Sequence, residues 1–521
     1  MFITQALKRS AQLYSDRLAT VCQGRERTWS EVEARVAKFA GALRKLGVEN
    51  GERVAILSLN SDRYYEYFFA TPWAGGVFVP INIRLAPPEV AFWLNDSGSE
   101  ILLIDDRFVP ILDELEGQLE TVRDVIYVGE GDAPDGMRHI EDLIEAADPL
   151  KDAMRGNDDL AGLFYTGGTT GRSKGVMLSH ANLVFNNMNC IHTFNYWQGM
   201  RWLHACPMFH IAGGIAIFGV TQVAGTHVII PAYAPDVAAE TIQERKITDT
   251  LLVPTMVNML VNMPGVENFD LSSMKAMAYG ASPMPEAVIR RAMEIIPDCD
   301  FYHAYGQTEA APLVTACPPY CHVFEGEYAN MYRAAGLPVV GVEVKIVDED
   351  DNELPRGEVG EVAVRGPNIM LGYWQQPELS AEALRGGWMH SGDGGYMDDR
   401  GFVFIVDRMK DMVISGGLNV YPAEIEMVLG GSDVVADVAV IGVPNEEFGE
   451  EVKAIVEPAA GVNADSVLEQ RIIAFAREQL AHTMVPRSVD FLETMPRLPT
   501  GKLPKRILRD PYWVDAGRKR I

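Results

Sequence analysis

Residues 165–180 read YTGGTTGRSKGVMLSH, the part of the chain whose residue types and spacing most plainly define a chemistry. An apolar approach, GLFY, leads into Thr166, Gly167, Gly168, Thr169, Thr170, Gly171 and Lys174. Glycine lets backbone N–H groups come close to a ligand and takes dihedrals that other residues resist, and hydroxyls and an ammonium add donors for phosphate oxygens. The string reads as a polyphosphate cradle. It is not a Walker A loop, because Lys174 stands between Ser173 and Gly175 and not in the order Gly-Lys-Ser/Thr.

Further strings follow in order: ACPMFHIAG, YGASPMP, YGQTEAAP, the Trp-Met-His-Ser-Gly-Asp run ending at Asp393, DRMKDMVISGGLNVYPAEIE, and LPTGKLPKR. With the cradle they span residues 165–506 and resemble the adenylate-forming superfamily of acyl-CoA synthetases, firefly luciferases and peptide-synthetase adenylation domains. The resemblance implies an ATP-dependent carboxylic acid:CoA ligase. Such an enzyme makes an acyl-adenylate, releases pyrophosphate and AMP, and uses ATP, Mg²⁺ and CoA.

Residue by residue, the resemblance puts Tyr305 against adenine and Thr308 on the α-phosphate, within an ATP/AMP site that also includes Gly280, Ala281, Ser282 and Gly306. Glu309, with Thr166, would hold magnesium. A carboxylate is the hard oxygen ligand that Mg²⁺ bridging two phosphates favours, and an aromatic face suits a purine. Asp393 and Arg408 match the residues that bind the ribose hydroxyls, as an acceptor and a donor group respectively.

Lys502 matches the lysine that bridges the acid's carboxylate and the α-phosphate, where a point cation lowers the cost of bringing two anions together. Lys174 and His210 join Lys502 and Thr308 as catalytic candidates, His210 at the gate between the acyl and CoA tunnels. Lys410 matches a hinge, and Gly416 and Gly417 match a loop past which the pantetheine arm would run. Departures are small: Ser173 stands where proline is usual, Ser391 where threonine is frequent, and Asp407 where glycine is common.

These residues need a scaffold, and its rhythm is legible. SEVEARVAKFAGALRKLG reads as an amphipathic helix opened by a capping box of Ser30 and Glu33, burying Val32, Val36, Phe39, Leu43 and Leu46, and ended by Gly47. Strand-like runs RVAILSL, GGVFVPIN, EILLIDD and DVIYVG alternate with helical stretches such as PPEVAFWLND, and the same βαβ rhythm recurs through DTLLVP, AMAYG and FYHAYG. Near residue 340 helices are expected to vanish in favour of short strands, VEVKIVDED, GEVAVRG and GFVFIVDR. After Asp407 the pattern turns mixed again.

The expected fold class is therefore α/β. A large N-terminal domain of α/β subdomains, residues 1–408, includes a β-rich subdomain at about 340–408. A small mobile α+β domain, residues 409–521, hinges at Lys410.

The 521 residues carry 45 Lys and Arg against 72 Asp and Glu, a net charge of −27, which excludes general binding to a nucleic-acid backbone. Six cysteines without a CxxC pair fit a reducing, cytoplasmic setting, and Cys317, Cys321 and His322 read as loop residues because no second ligand pair accompanies them. The N-terminal residues lack the apolar core of a secretory signal. The uncharged stretch 211–231 contains glycines and polar residues, and reads as a buried helix followed by the strand THVIIP in place of a membrane span.

The partners expected are small molecules, a carboxylic acid with ATP and CoA, and a homodimer stays open. No Lys or Arg occurs in Phe209 to Gly214, Ala278 to Met284 or Ala304 to Leu313, so a hydrophobic monocarboxylate, fatty, aryl or alicyclic, is favoured over a dicarboxylate. Two alternatives remain: an adenylating enzyme with another acceptor, and a non-catalytic acyl- or nucleotide-binding protein.

Overall fold

The computed structural model describes residues 1–166, 173–408, 411–415, 418–445, 448–497 and 503–515. Two large sheets carry most of the chain. In the eight-stranded sheet the strands Arg53–Leu57, Val77–Pro80, Ile101–Ile104, Asp124–Tyr127 and Leu160–Thr166 run parallel, and Lys174–Ser179 folds back antiparallel beside Leu160–Thr166. The nine-stranded sheet has a parallel centre that includes Arg201–His204, Thr226–Ile229, Asp249–Leu252, Ala276–Gly280 and Asp300–Gly306. These are the runs whose alternation with helices marked the chain as α/β.

The helix Trp29–Lys45 buries Val32, Val36, Phe39 and Leu43 as its periodicity requires, and it ends before Gly47, whose φ is 90°. Its start differs from expectation. Trp29 is fully buried and lies inside the helix, so the cap is Thr28 and the capping box pairs Thr28 with Glu31, while the Ser30 hydroxyl donates to the Ser15 carbonyl. The stretch 211–231 forms the buried helix Ile211–Gln222 and the strand Thr226–Ile229. No helix among the described residues is long and apolar enough to cross a membrane.

The helix Asp62–Trp73 is buried on every side, as an apolar helix at the heart of a large core should be. Its charges are compensated one by one, which a buried ion requires. Asp62 accepts from Arg25 and Arg27, Glu66 from Arg35, and Arg63 bridges Glu130 and Glu141. Burial alone would raise the Asp62 carboxyl, but the two guanidiniums outweigh it and hold it down at about 2.

Beyond residue 340, Glu343–Val347, Gly360–Arg365, Met389–Met397 and Val403–Arg408 form a four-stranded antiparallel sheet. Helices do not vanish there, because Pro377–Ala383 is helical, started by a proline whose missing N–H costs nothing in a first turn. Just before it, Gly372–Tyr373 leaves this region and pairs with Lys174–Ser179 of the eight-stranded sheet. The last part of the chain is a small unit with its own core, in which Val435–Asn445, Gly449–Pro458 and Ser488–Phe491 pack under the helices Pro422–Leu429 and Ser466–Gln479.

Cys317 ends the strand Leu313–Cys317 and Cys321 lies in a single 3₁₀ turn, both buried, so the loop reading of these residues is corrected. Buried His322 pairs through Nε2 with the Tyr279 hydroxyl at 2.9 Å.

Candidate active site

Thr166 and Lys174 face each other as the last paired residues of two antiparallel strands. Gly167, Gly168, Thr169, Thr170 and Gly171 lie outside the described residues, as do Lys410, Gly416, Gly417 and Lys502.

The Lys174 ammonium sits over the Tyr373 ring, 5.0 Å from its centroid, and the Tyr373 hydroxyl donates to Glu309 Oε1 at 3.0 Å. A cation over an aromatic face is favourable, and the hydroxyl orients a carboxylate that would otherwise repel any approaching phosphate. Tyr373 owes this place to the two-residue strand that pairs it with Val176. Nothing local in the string LGYW marks it, and sequence reasoning missed it.

Glu309 and Thr308 belong to the 3₁₀ turn Thr308–Ala310 that follows the strand Asp300–Gly306. The turn is held from across the site, where the Met370 N–H donates to the Glu309 carbonyl at 2.8 Å. Two glycines are demanded by close backbone approach. A Cβ on Gly306 would stand 1.8 Å from the Pro312 carbonyl oxygen, and one on Gly280 would stand 2.1 Å from that of Ala304. Past the strand end at Gly280, Ala281 takes a φ of 68°, and both Ala281 and Ser282 are exposed.

Tyr305, Asp393 and Arg408 form a second group. The Tyr305 hydroxyl donates to Asp393 Oδ2 at 2.7 Å and Arg408 Nε to Oδ1 at 2.7 Å. Asp393 and Arg408 are paired in register on neighbouring strands, and Arg408 also donates to the Ser391 carbonyl. Burial, and then the adjacent Asp393 charge, raise the Tyr305 phenol well above its ordinary range. Burial works against the Arg408 charge, but Asp393, Tyr305 and Glu309 outweigh it, so the guanidinium stays protonated and lies within the electrostatic reach of both groups.

His210 caps the buried helix Ile211–Gln222, its ring 4.4 Å from that of Phe209. Asp407, the departure beside Arg408, is buried; its carboxylate accepts the Ala423 N–H at 2.8 Å and lies 3.5 Å from Lys505 Nζ, which also pairs with Glu426 at 2.9 Å. Lys505 thus ties the segment after residue 502 to the end of the strand that carries Arg408.

Among the described residues no group of three or more His, Cys, Asp or Glu could hold a metal by itself. The donor set does suit Mg²⁺ beside a nucleotide. That ion keeps several waters and takes one or two carboxylates plus phosphate oxygens, and the only hydrogen bond to the Glu309 carboxylate among those residues comes from Tyr373.

This arrangement is that of a known family. Residues 7–374 match the model described as AMP-binding enzyme and residues 424–502 the model described as AMP-binding enzyme C-terminal domain; the chain belongs to the AMP-binding enzyme family. Its class is that of the AMP-forming acid–thiol ligases of acyl-CoA synthetase type.

The chain is 36% identical over 513 residues to the fatty acid–[acyl-carrier-protein] ligase ScoC of Streptomyces coeruleorubidus, covering 96% of this chain and 94% of that protein. It is 38% identical over 484 residues to a feruloyl-CoA synthase of an Amycolatopsis species, covering 92% and 93%. The structure superposes on ATP-bound MatB from Rhodopseudomonas palustris with a TM-score of 0.86 at 31% identity, covering 98% and 99%.

Proposed function

We propose that the protein joins a hydrophobic monocarboxylic acid to CoA in two half-reactions. The acid's carboxylate attacks the α-phosphorus of ATP and pyrophosphate leaves; the CoA thiolate then attacks the acyl carbonyl and AMP leaves. The observation that carries this reading is the meeting of Lys174, Tyr373 and Glu309 with Tyr305, Asp393 and Arg408 at one junction of sheets. One group offers a cation and a hard carboxylate to a polyphosphate, and the other offers a buried carboxylate and an aromatic ring to a nucleoside.

Thr166, Gly167, Gly168, Thr169, Thr170, Gly171 and Lys174 would cradle the phosphates, with Thr308 on the α-phosphate and Glu309 on Mg²⁺, which supplies charge neutralisation between the phosphates. Gly280, Ala281, Ser282 and Gly306 would border the adenosine. The division into residues 1–408 and 409–521 about a hinge at Lys410 belongs to the same proposal, as does a cytoplasmic setting.

Supplied with ATP, Mg²⁺, CoA and a panel of fatty, aryl and alicyclic acids, the protein is expected to release AMP and pyrophosphate; ADP and orthophosphate would overturn adenylation. ScoC, whose printed acceptor is a carrier protein, makes a second acceptor worth an arm of the same assay. Thioester formed on a pantetheinylated carrier protein and not on CoA would replace CoA as the acceptor.

Tyr373→Phe keeps the ring under Lys174 and removes the hydroxyl that orients Glu309. A hydrogen bond to a charged group is worth about 1.5–3 kcal/mol, so the Mg²⁺ concentration for half-maximal pyrophosphate release should rise about tenfold or more. An unchanged Mg²⁺ titration would show that Glu309 needs no such orientation.

A further inference from the structure

Two thiols that the ligase chemistry does not use lie together behind the adenosine side of the site. Cys317 ends the strand Leu313–Cys317 and Cys321 ends the 3₁₀ turn Pro319–Cys321, and both are fully buried in one apolar cluster with Met331, Ala334 and Phe402. The Cys317 thiol donates to the Met331 carbonyl at 3.3 Å and lies within hydrogen-bonding reach of the Cys321 sulfur.

His322, next in the chain, does not complete a metal site with them. Its Nδ1–H donates to the Pro318 carbonyl at 3.2 Å and its Nε2 accepts from the Tyr279 hydroxyl at 2.9 Å, so both ring nitrogens are already used. What is left is a pair of thiols in contact.

The two sulfurs are not equivalent. The hydrogen bond from Cys317 lowers the Cys321 thiol, burial works against this, and the Arg400 charge adds to it; the same bond, followed by burial, raises Cys317. Arg400 lies along the same cluster, with Nη2 2.9 Å from Met331 Sδ. A thiolate beside a cation is the reactive form of cysteine. Cys321 is also only one layer deep, since its neighbour Tyr320 is 51% exposed.

The Met331 carbonyl that Cys317 holds belongs to a seam between two strands of the site. His303 Nδ1 donates to the Ala334 carbonyl at 2.7 Å and the Thr315 hydroxyl to the Ala335 carbonyl at 2.7 Å; His303 shares a strand with Tyr305, and Thr315 is the partner of Tyr305 in register. On the other side the Ala335 N–H donates to the Val403 carbonyl at 2.8 Å and the Val403 N–H to the Gly336 carbonyl at 2.9 Å, and Val403 opens the strand that ends at Arg408.

We propose that Cys317 and Cys321 are a peroxide-sensitive dithiol that closes to a reversible intrachain disulfide and thereby weakens nucleotide binding. The Cys321 thiolate attacks one oxygen of hydrogen peroxide and the O–O bond breaks. The hydroxide released takes up the proton that Cys321 gave away, and Cys321 becomes a sulfenic acid. The Cys317 sulfur then attacks the Cys321 sulfur, the S–O bond breaks, and the leaving hydroxide departs with the Cys317 proton as a second water. Two thiols and one peroxide give one disulfide and two waters, and two electrons pass from sulfur to oxygen.

The disulfide has no S–H to offer the Met331 carbonyl, so the seam loses one of its three side-chain donors. Only three residues separate the two cysteines, and so short a loop constrains the unfolded chain little, which suits a switch and not a structural bond. The coupling to ATP rests on the reading of Tyr305, Asp393 and Arg408 as the nucleoside group; formation of the disulfide does not.

Treatment of the full-length protein with hydrogen peroxide, followed by digestion and fragment mass spectrometry, should show the loss of two hydrogens and place the bond between Cys317 and Cys321. Equilibrium binding of ATP should weaken by about two- to tenfold, the range covered by one neutral hydrogen bond. Dithiothreitol should restore it, as it would not if methionine oxidation were the cause. Cys321→Ala keeps the donor to Met331 and should bind ATP as the parent does, before and after peroxide. Cys317→Ala lacks that donor and should bind ATP as the oxidised parent does.

A bond to another cysteine, a sulfinic acid on Cys321 without a disulfide, or a disulfide that leaves ATP binding unchanged would overturn the proposal, as would a peroxide effect that persists in Cys321→Ala. Failure of the reduced parent to bind ATP would instead overturn the nucleoside reading and the coupling with it, while the mapped bond would still decide the dithiol.

Discussion

Lys502→Ala is expected to slow pyrophosphate release by about 10²- to 10³-fold, the usual cost of removing one preorganised donor from a site of developing charge. The first half-reaction brings a carboxylate onto a triphosphate, and a cation between them acts only while the two anions approach. In the second half-reaction the thiolate attacks a neutral acyl carbonyl and AMP departs, so thioester formation from a supplied acyl-adenylate should stay within about twofold of the parental rate.

Lys505 should keep the local chain in place in this variant, since its ammonium is shared by Asp407 and Glu426. Burial lowers the proton affinity of Lys505, but Glu426 and then Asp407 outweigh it and hold the ammonium charged. Single-turnover assays of each half-reaction, with an unfolding curve beside them, decide the matter. Equal losses in both half-reactions would refute a role confined to adenylation.

Asp393→Asn should raise the KM for ATP by about 10- to 100-fold, from the loss of one or two charge-assisted hydrogen bonds of about 1.5–3 kcal/mol each. Each carboxylate oxygen already accepts once, Oδ2 from Tyr305 and Oδ1 from Arg408, and has a further lone pair with which to accept from vicinal ribose hydroxyls. An amide cannot reproduce this. Its NH₂ must turn away from the Arg408 guanidinium toward the Tyr305 oxygen, and only one oxygen is left to serve both Arg408 and the nucleoside. An ATP KM within twofold of the parental value, in a variant of unchanged stability, would remove Asp393 from the nucleoside site.

The amino-acid order by itself determined the parts that rest on local periodicity. A 3.6-residue stripe and a terminal glycine marked the helix over residues 29–45, and apolar runs between turn residues marked the strands that became the parallel centres of both large sheets. The motif strings determined which residues to watch, and several of those described lie at or just past strand ends. Thr166 and Lys174 end two paired antiparallel strands, while Gly306 ends the strand that leads into the turn holding Glu309.

Tertiary structure decided what register and burial decide. Tyr373 reaches Lys174 and Glu309 because a two-residue strand crosses from one sheet to another, an event without local periodicity. Thr28, not Ser30, caps its helix because Trp29 is needed inside the core.

Asp407 was visible in the sequence only as a substitution at a position where glycine is common; its contacts with Ala423 and Lys505 exist because chain segments far apart in sequence meet there. His204, His227, Thr221 and Tyr65 are separately unremarkable in the sequence. Their order as a hydrogen-bonded chain is set by which strand lies beside which.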